Sequence, residues 1–306
     1  MKALTIIDRL ICLSAVAITS LTPFTSTASE NIPQKPFGQF TWLPTPNQWI
    51  VTPWYQYTDI QDIWRGTRHE NVSVGDKHGF DQNDGLALIE YGIKKDWAAD
   101  LQLGYTSLAT RSFSTPPGTV RSTSGLMDVT FGLRWQVLNE NDCDCGWRPT
   151  VTLRAGGIYR GTYDHDFPLA PGNGSVGIEP SVLITKSFGW QGFGMYGNLG
   201  YRNLRSGGND QVFGSVGFNQ AYKGFTFSAG YRHQQNTAGS DIGGVGNTII
   251  YSSNVKEINQ LADVGVGYTD RRHHHYQFYL EKSISGRNTG DKETYGIYAS
   301  FPIGGK

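Results

Sequence analysis

Met127-Asp128-Val129-Thr130-Phe131-Gly132-Leu133-Arg134-Trp135-Gln136-Val137 alternates without interruption. The odd positions, Met127, Val129, Phe131, Leu133, Trp135 and Val137, are apolar. The even positions, Asp128, Thr130, Gly132, Arg134 and Gln136, are polar or small. Successive side chains of a strand point to opposite faces, so this stretch is a strand with one apolar face and one polar face. A soluble sandwich could turn the apolar face inward. Repetition along the whole chain, behind an export signal, makes lipid the apolar partner instead.

The same period recurs on both sides. Trp97, Ala99, Leu101, Leu103 and Tyr105 oppose Asp100, Gln102 and Thr106; Val151, Leu153, Ala155 and Tyr159 oppose Thr152, Arg154 and Arg160. Val176, Ile178, Val182 and Ile184 oppose Glu179, Ser181 and Thr185; Phe193, Met195, Leu199 and Tyr201 oppose Asn198 and Arg202. Further segments follow at 212–222, 225–234 (with Arg232 on the polar face), 257–268, 276–283 (with Glu281) and 294–303. Two earlier ones lie near 50–58 and 86–94, giving twelve strands. The fold class this predicts is all-β, a transmembrane antiparallel β-barrel. With the N-terminus in the periplasm, short connections fall near Lys95-Asp96, Trp190-Gln191, Lys223 and Arg271–His273. Longer polar stretches near 59–85, 109–124, 161–174 and 237–254 then face outward, as bacterial barrels arrange them.

Energy fixes which face meets lipid. An Arg at the bilayer midplane costs about 2–4 kcal/mol. Turning Arg134, Arg154, Arg202 and Arg232 outward together would consume most of the ~5–15 kcal/mol that holds an ordinary domain folded. The arginines therefore point into the lumen or lie close to a membrane edge.

Lys2 and Arg9 precede an apolar run from Leu10 to Leu21, and Ser26-Thr27-Ala28 supplies small residues for cleavage. The run is too short to span a bilayer as a helix, which takes about 20 residues, and reads as a signal peptide over 1–28. Residues 29–49 form a Pro-rich stretch with Phe37, Phe40 and Trp42, either a periplasmic leader or a plug entering the lumen. The barrel is expected over 50–306. Removal of the signal leaves 24 basic and 25 acidic residues, a balance without the basic footprint of a nucleic-acid binder. The expected compartment is the outer membrane of a Gram-negative bacterium. The expected partners are its lipid, a small-molecule solute and the barrel-insertion machinery; oligomeric state is left open.

From Ser124 to Trp135 the chain resembles a family of transporter-like outer-membrane proteins associated with the meta-pathway of phenol degradation. Their strand pattern is small-Gly-Leu-x-Asp-apolar-Thr-x-Gly-apolar-basic, matched here by Ser124-Gly125-Leu126-Met127-Asp128-Val129-Thr130-Phe131-Gly132-Leu133-Arg134. The likeness extends from about residue 86 to the C-terminus. It implies a barrel that admits small, often aromatic, hydrophobic compounds, and it brings no defined binding residues.

The candidate pore-lining residues are Asp128, Arg134, Arg154, Arg160, Glu179, Arg202, Arg232 and Glu281, sharing the lumen with Asp100 and Asp263. Their charges either select solutes or pair with one another to fill a narrow barrel. Cys143 and Cys145 form a turn-closing disulfide or stay as two thiols. His273-His274-His275 is a polar turn or a metal ligand set, the turn being favoured. Outer-membrane phospholipases place His and Ser two residues apart on a strand, but Gln235 stands where His233 would need Ser. No catalytic residues and no cofactor are expected. The function this supports is a channel or transporter for small hydrophobic or aromatic solutes. A structural or adhesive surface barrel is the alternative, and a lipid-modifying enzyme the third.

Overall fold

The computed structural model describes residues 43–71, 79–110, 120–142, 146–165, 167, 169–170, 172, 174–188, 192–205, 208–241 and 255–305. The first half of its strands are β1 (Gln48–Arg65), β2 (Arg68–Asn71), β3 (Phe80–Lys94), β4 (Trp97–Thr110), β5 (Arg121–Leu126), β6 (Val129–Leu138) and β7 (Thr150–Tyr159). The second half are β8 (Gly177–Ser187), β9 (Phe193–Leu204), β10 (Gln211–Tyr222), β11 (Phe225–Asn236), β12 (Ile258–Thr269), β13 (His275–Arg287) and β14 (Gly290–Gly304). All pairings between these strands are antiparallel, and β14 zips onto β1 from Gln48↔Gly304 to Ile63↔Gly290. The sheet therefore closes on itself. β1 pairs β3 over Trp49–Ile60 and β2 over Asp62–Arg65, so β2 stands above β3 as the return arm of an outer hairpin. β5 and β6 both pair β4 and share one place in the wall. The wall thus has twelve positions, the number the sequence predicts.

The facing is as the energy argument requires. Leu133 is 41% exposed while Arg134 is 1%, and Leu153 is 40% exposed while Arg154 is 3%. Large apolar side chains pointing outward all round the wall would be an anomaly in water and are the norm in lipid. At the end carrying Asn47 and Gly304, rings pair across neighbouring strands: Trp49 with Tyr91 (4.5 Å), Trp97 with Trp135 (5.6 Å) and Phe225 with Tyr268 (5.3 Å). These form a girdle of the kind found where bilayer meets water. Connections at this end are tight. Lys95-Asp96 and Lys223-Gly224 are two-residue turns between paired strands, with φ of 67° at Asp96 and of 48° and 84° at Lys223 and Gly224. Positive φ at both central residues, as at Lys223-Gly224, matches the right-handed twist of a hairpin. Short turns at one end and longer connections at the other place the girdle end in the periplasm.

One outward assignment is corrected. Tyr105 pairs Leu126 and Gln102 pairs Thr130, so three residues of one strand, Met127 to Val129, oppose two of the other. This is a β-bulge, and it reverses the alternation locally. Leu126 is exposed on the lipid side, whereas Met127 turns inward and packs on Trp54, Leu86, Leu88, Tyr279 and Tyr298. The expectation that Met127 continues the apolar lipid face fails because the strand is not regular there.

Nitroxide labels on Leu126→Cys and Leu133→Cys, in a chain carrying Cys143→Ser and Cys145→Ser, should contact oxygen dissolved in lipid. A label on Met127→Cys should be shielded. Equal lipid access at all three sites would remove the bulge. Leu133→Arg should lower unfolding free energy in liposomes by about 2–4 kcal/mol, read from urea titration.

Candidate functional site

The inward positions of β3 read out the layers of the lumen from outside to periplasm. Phe80 comes first, then Gln82 and Asp84, then Leu86 and Leu88, then Glu90, all buried. Each layer recruits matching partners from the other strands.

The outermost layer is closed by the β7–β8 connection. Phe167, Leu169 and Ala170 pack against the cluster of Ile60 and Ile63 on β1, Phe80 on β3 and Leu108 on β4. The Arg121 guanidinium lies 5.4 Å from the Phe167 ring centre. Asp128, in the bulge, anchors this connection: its carboxylate accepts from Gly161 N (2.9 Å), Gly174 N (3.2 Å) and the Tyr163 hydroxyl (3.1 Å). Burial and the Asp128 charge together hold that hydroxyl protonated, well above the usual phenol range. Gly125 and Gly161 permit the crossing, since a Cβ on Gly125 would sit 2.7 Å from Tyr163 N and one on Gly161 2.2 Å from Leu126 O.

Below it, Gln56 donates to Asp84 (2.7 Å) and accepts from the Tyr279 hydroxyl (2.9 Å). Gln277 accepts from the Tyr298 hydroxyl (2.8 Å) and donates to Ser228 (3.0 Å). The bodies of these tyrosines belong to the next layer, an apolar belt of Trp54, Leu86, Leu88, Met127, Tyr279 and Tyr298.

A ladder of charges runs obliquely along one hydrogen-bonded row of the wall, from Glu90 near the periplasmic end of β3 to Arg202 near the outer end of β9. Arg134 bridges Glu90 (2.5 Å) and Asp100 (3.2 Å). Arg154 bridges Asp100 (2.7 Å) and Glu179 (2.9 Å), and Arg202 completes the ladder by donating to the other oxygen of Glu179. Arg202 then donates to Gln211 (3.2 Å), which donates to Asn236 (2.8 Å). Three arginines meet three carboxylates, so the ladder is formally neutral. Glycines make room for it: a Cβ on Gly132 would lie 2.5 Å from Arg154 Nε, and one on Gly156 2.3 Å from Arg154 Nη1. Desolvated charges are tolerated only when paired, and here each guanidinium is shared between acceptors.

Of the residues singled out by sequence, Arg134, Arg154, Glu179 and Arg202 come together in this ladder. Arg232 and Glu281 form a separate ion pair across the lumen wall of β11 and β13. Asp128 faces inward but serves the mouth connection. Arg160 lies just past β7 at the outer end, exposed, with Nη2 2.7 Å from His165 Nδ1. Cys143 and Cys145 lie outside the described residues. The three histidines do not gather. His273 occupies the turn with φ 63°, His274 approaches Asp270 (3.1 Å), and His275 is buried beside Thr269 and Gln277. Glu90 was not singled out, although its place between Ile89 and Tyr91 marks it as lumenal.

These features define a twelve-stranded β-barrel of the bacterial outer membrane. No protein-family model and no curated protein sequence matches the chain. Among solved structures it is similar to the COG4313 outer membrane channel from Pseudomonas putida F1. The TM-score is 0.63 at 11% identity, over 87% of this chain and 98% of that one. It is also similar to the NanC porin (TM-score 0.45, 11% identity, 83% of this chain and 98% of that one). A third match is a deletion mutant of the TodX monoaromatic hydrocarbon channel (TM-score 0.43, 11% identity, 86% and 91%). The first of these shares the fold; the other two, at lower TM-scores, add nothing to the assignment.

Arg154→Met should destabilise the barrel by about 3–5 kcal/mol, because Asp100 and Glu179 are left buried without their shared partner. Adding Asp100→Asn alone should recover most of the loss, because Arg134 then keeps Glu90, Arg202 keeps Glu179, and no carboxylate is left over. Urea unfolding in liposomes reads both, and equal stability of the single variant and the wild type would show the ladder to be solvated.

Proposed function

We propose that the barrel admits small hydrophobic or aromatic solutes across the outer membrane. The observation that supports this most is the belt of Trp54, Leu86, Leu88, Met127, Tyr279 and Tyr298 in mid-lumen. Buried indole and leucine side chains oppose wetting of the waist and offer an apolar solute a lining of its own kind. Met127 adds an unbranched thioether that reshapes easily around a guest. The neutral charge ladder along the wall neither traps nor repels an uncharged molecule. The fold shared with an outer membrane channel is consistent with passage, and the sequence resemblance to phenol-degradation barrels favours aromatic compounds. In this reading residues 1–28 direct export and the barrel-insertion machinery receives the chain. The Pro-rich stretch of residues 29–49 continues into β1 at Gln48.

A second reading, a structural barrel that displays its outer connections, has its own support. Arg134, Tyr279 and Tyr298 are inaccessible to water or nearly so, which describes a filled lumen at those levels. Transport then requires the Asp128-anchored connection and part of the ladder to move aside.

Initial uptake of labelled toluene, phenol and a sugar separates the readings. Cells lacking the protein should take up toluene and phenol several-fold more slowly than wild type, with sugar uptake unchanged. Asp128→Ala, which frees the mouth connection, should raise single-channel conductance of the purified barrel. Identical uptake of all three compounds by both strains would remove this function and leave surface display.

A further inference from the structure

The β12–β13 connection carries chemistry that the lumen does not use. Asp270 organises it from within. Its backbone oxygen accepts from His273 N (3.0 Å), and its carboxylate accepts from Arg272 N (2.8 Å) and His274 N (3.0 Å). The His274 ring adds a third contact to the same carboxylate at 3.1 Å. With the acid so occupied, the side chains of Arg271 and Arg272 project into solvent. Among the described residues neither guanidinium has a carboxylate within ion-pair distance.

A cleft of about 550 Å³ opens beside this turn on the outer surface of the wall. Tyr268, Tyr276 and Phe301 line it from the strands, and Asp270, Arg271, Arg272 and His274 line it from the turn, the Asp270 carboxylate being already engaged by the turn's own N–H groups and the His274 ring. The rings are locked in place. Tyr276 meets Phe301 edge-on at 6.1 Å, His274 meets Phe301 at 5.3 Å, and Tyr268 packs on Phe225 at 5.3 Å. Lys223, exposed on the adjoining β10–β11 turn, extends the basic rim, because Thr269 N donates to Gly224 O at 2.7 Å and ties the two turns together.

The layering of this cleft, apolar rings on the bilayer side and exposed cations at the water boundary, repeats the layering of a phospholipid. Acyl chains would lie along Tyr268, Tyr276 and Phe301 while a phosphodiester meets the guanidiniums. Arg is suited to that oxyanion because its planar fork donates in pairs. Cations at the bilayer surface are drawn to anionic lipid, so a net-negative headgroup is preferred over a zwitterionic one. We propose that this cleft is a binding site for the headgroup of an anionic phospholipid in the periplasmic leaflet.

Native mass spectrometry of the full barrel, released from nanodiscs of mixed phosphatidylglycerol and phosphatidylcholine, tests the assignment. The wild type should retain phosphatidylglycerol in preference to phosphatidylcholine. Arg271→Gln with Arg272→Gln should lose that preference several-fold while keeping the heat-modifiable gel mobility of a folded barrel. Lys94→Gln with Lys95→Gln, which removes periplasmic cations away from the cleft, should leave the preference intact. Three results would overturn the proposal: no preference in the wild type, equal loss in the Lys94/Lys95 variant, or displacement of the lipid by glycerol phosphate alone at comparable concentration. The last would make the site one for a soluble phosphate. If the Arg271/Arg272 variant fails to fold, Arg271→Lys with Arg272→Lys keeps the charge and should retain the lipid but lose part of the selectivity.

Discussion

The β14–β1 zipper is the constraint on which the rest depends. Within hydrocarbon no water is available to a backbone N–H or C=O, and each one left unpaired costs several kcal/mol. A sheet of twelve wall positions can meet that demand only by having no edge. The register from Gln48↔Gly304 to Ile63↔Gly290 removes the last one. Once the wall is closed, every residue has one of two destinations, lipid or lumen. The period-2 pattern is then no longer a preference but a requirement, enforced by about 2–4 kcal/mol per misplaced cation near the midplane.

Closure also decides what the lumen must do with its polar groups. Side chains of neighbouring strands are brought together in a space where Arg134 and Arg154 have almost no contact with water. Ion pairs so placed barely repay their own desolvation, and their removal one partner at a time is what is costly. The ladder from Glu90 to Arg202 is therefore better understood as holding the walls in one arrangement than as a large source of stability. The apolar belt contributes the ordinary gain of burial, and glycines at 132 and 156 leave the volume that the Arg154 guanidinium fills.

This division explains which features could be read from sequence. Strand number and facing were legible because lipid imposes the same alternation on every strand. Leu133 beside Arg134 and Leu153 beside Arg154 each carry the whole signal locally. Which arginine meets which acid was not legible, because that depends on strand tilt and stagger, properties of the closed cylinder and of no single segment. Glu90 shows the difference: its lumenal facing is local, while its partnership with Arg134 spans 44 residues. The bulge left a weaker trace. Leu126 and Met127 are adjacent apolar residues in an otherwise alternating run, a sign that one of them has changed sides. The inward fold of the β7–β8 connection had a trace too, in Tyr163 and Phe167, whose burial an outer loop in water would not need, and in Leu169, which packs beside them partly buried.

Gly125-Leu126-Met127-Asp128 is the segment on which the mouth is built, and each residue has a separate mechanical role. Gly125 has no Cβ and so lets Thr162 and Tyr163 cross the wall closely. Leu126 bonds sideways to Thr162, donating its N–H to the hydroxyl and accepting at its carbonyl, each at 2.9 Å. Met127 is turned by the bulge onto the belt, and Asp128 gathers three donors from Gly161, Tyr163 and Gly174. A regular strand could not do this, since adjacent side chains would face opposite ways and only one of Met127 and Asp128 would reach the interior. The extra residue places both inside, joining the mid-lumen belt to the outer closure through neighbouring positions of one strand. Movement of the mouth connection therefore strains the same backbone that seats Met127, and displacement of Met127 by a guest strains the anchor of the mouth. Belt and mouth are mechanically one device, built on neighbouring positions of the Gly125–Asp128 segment.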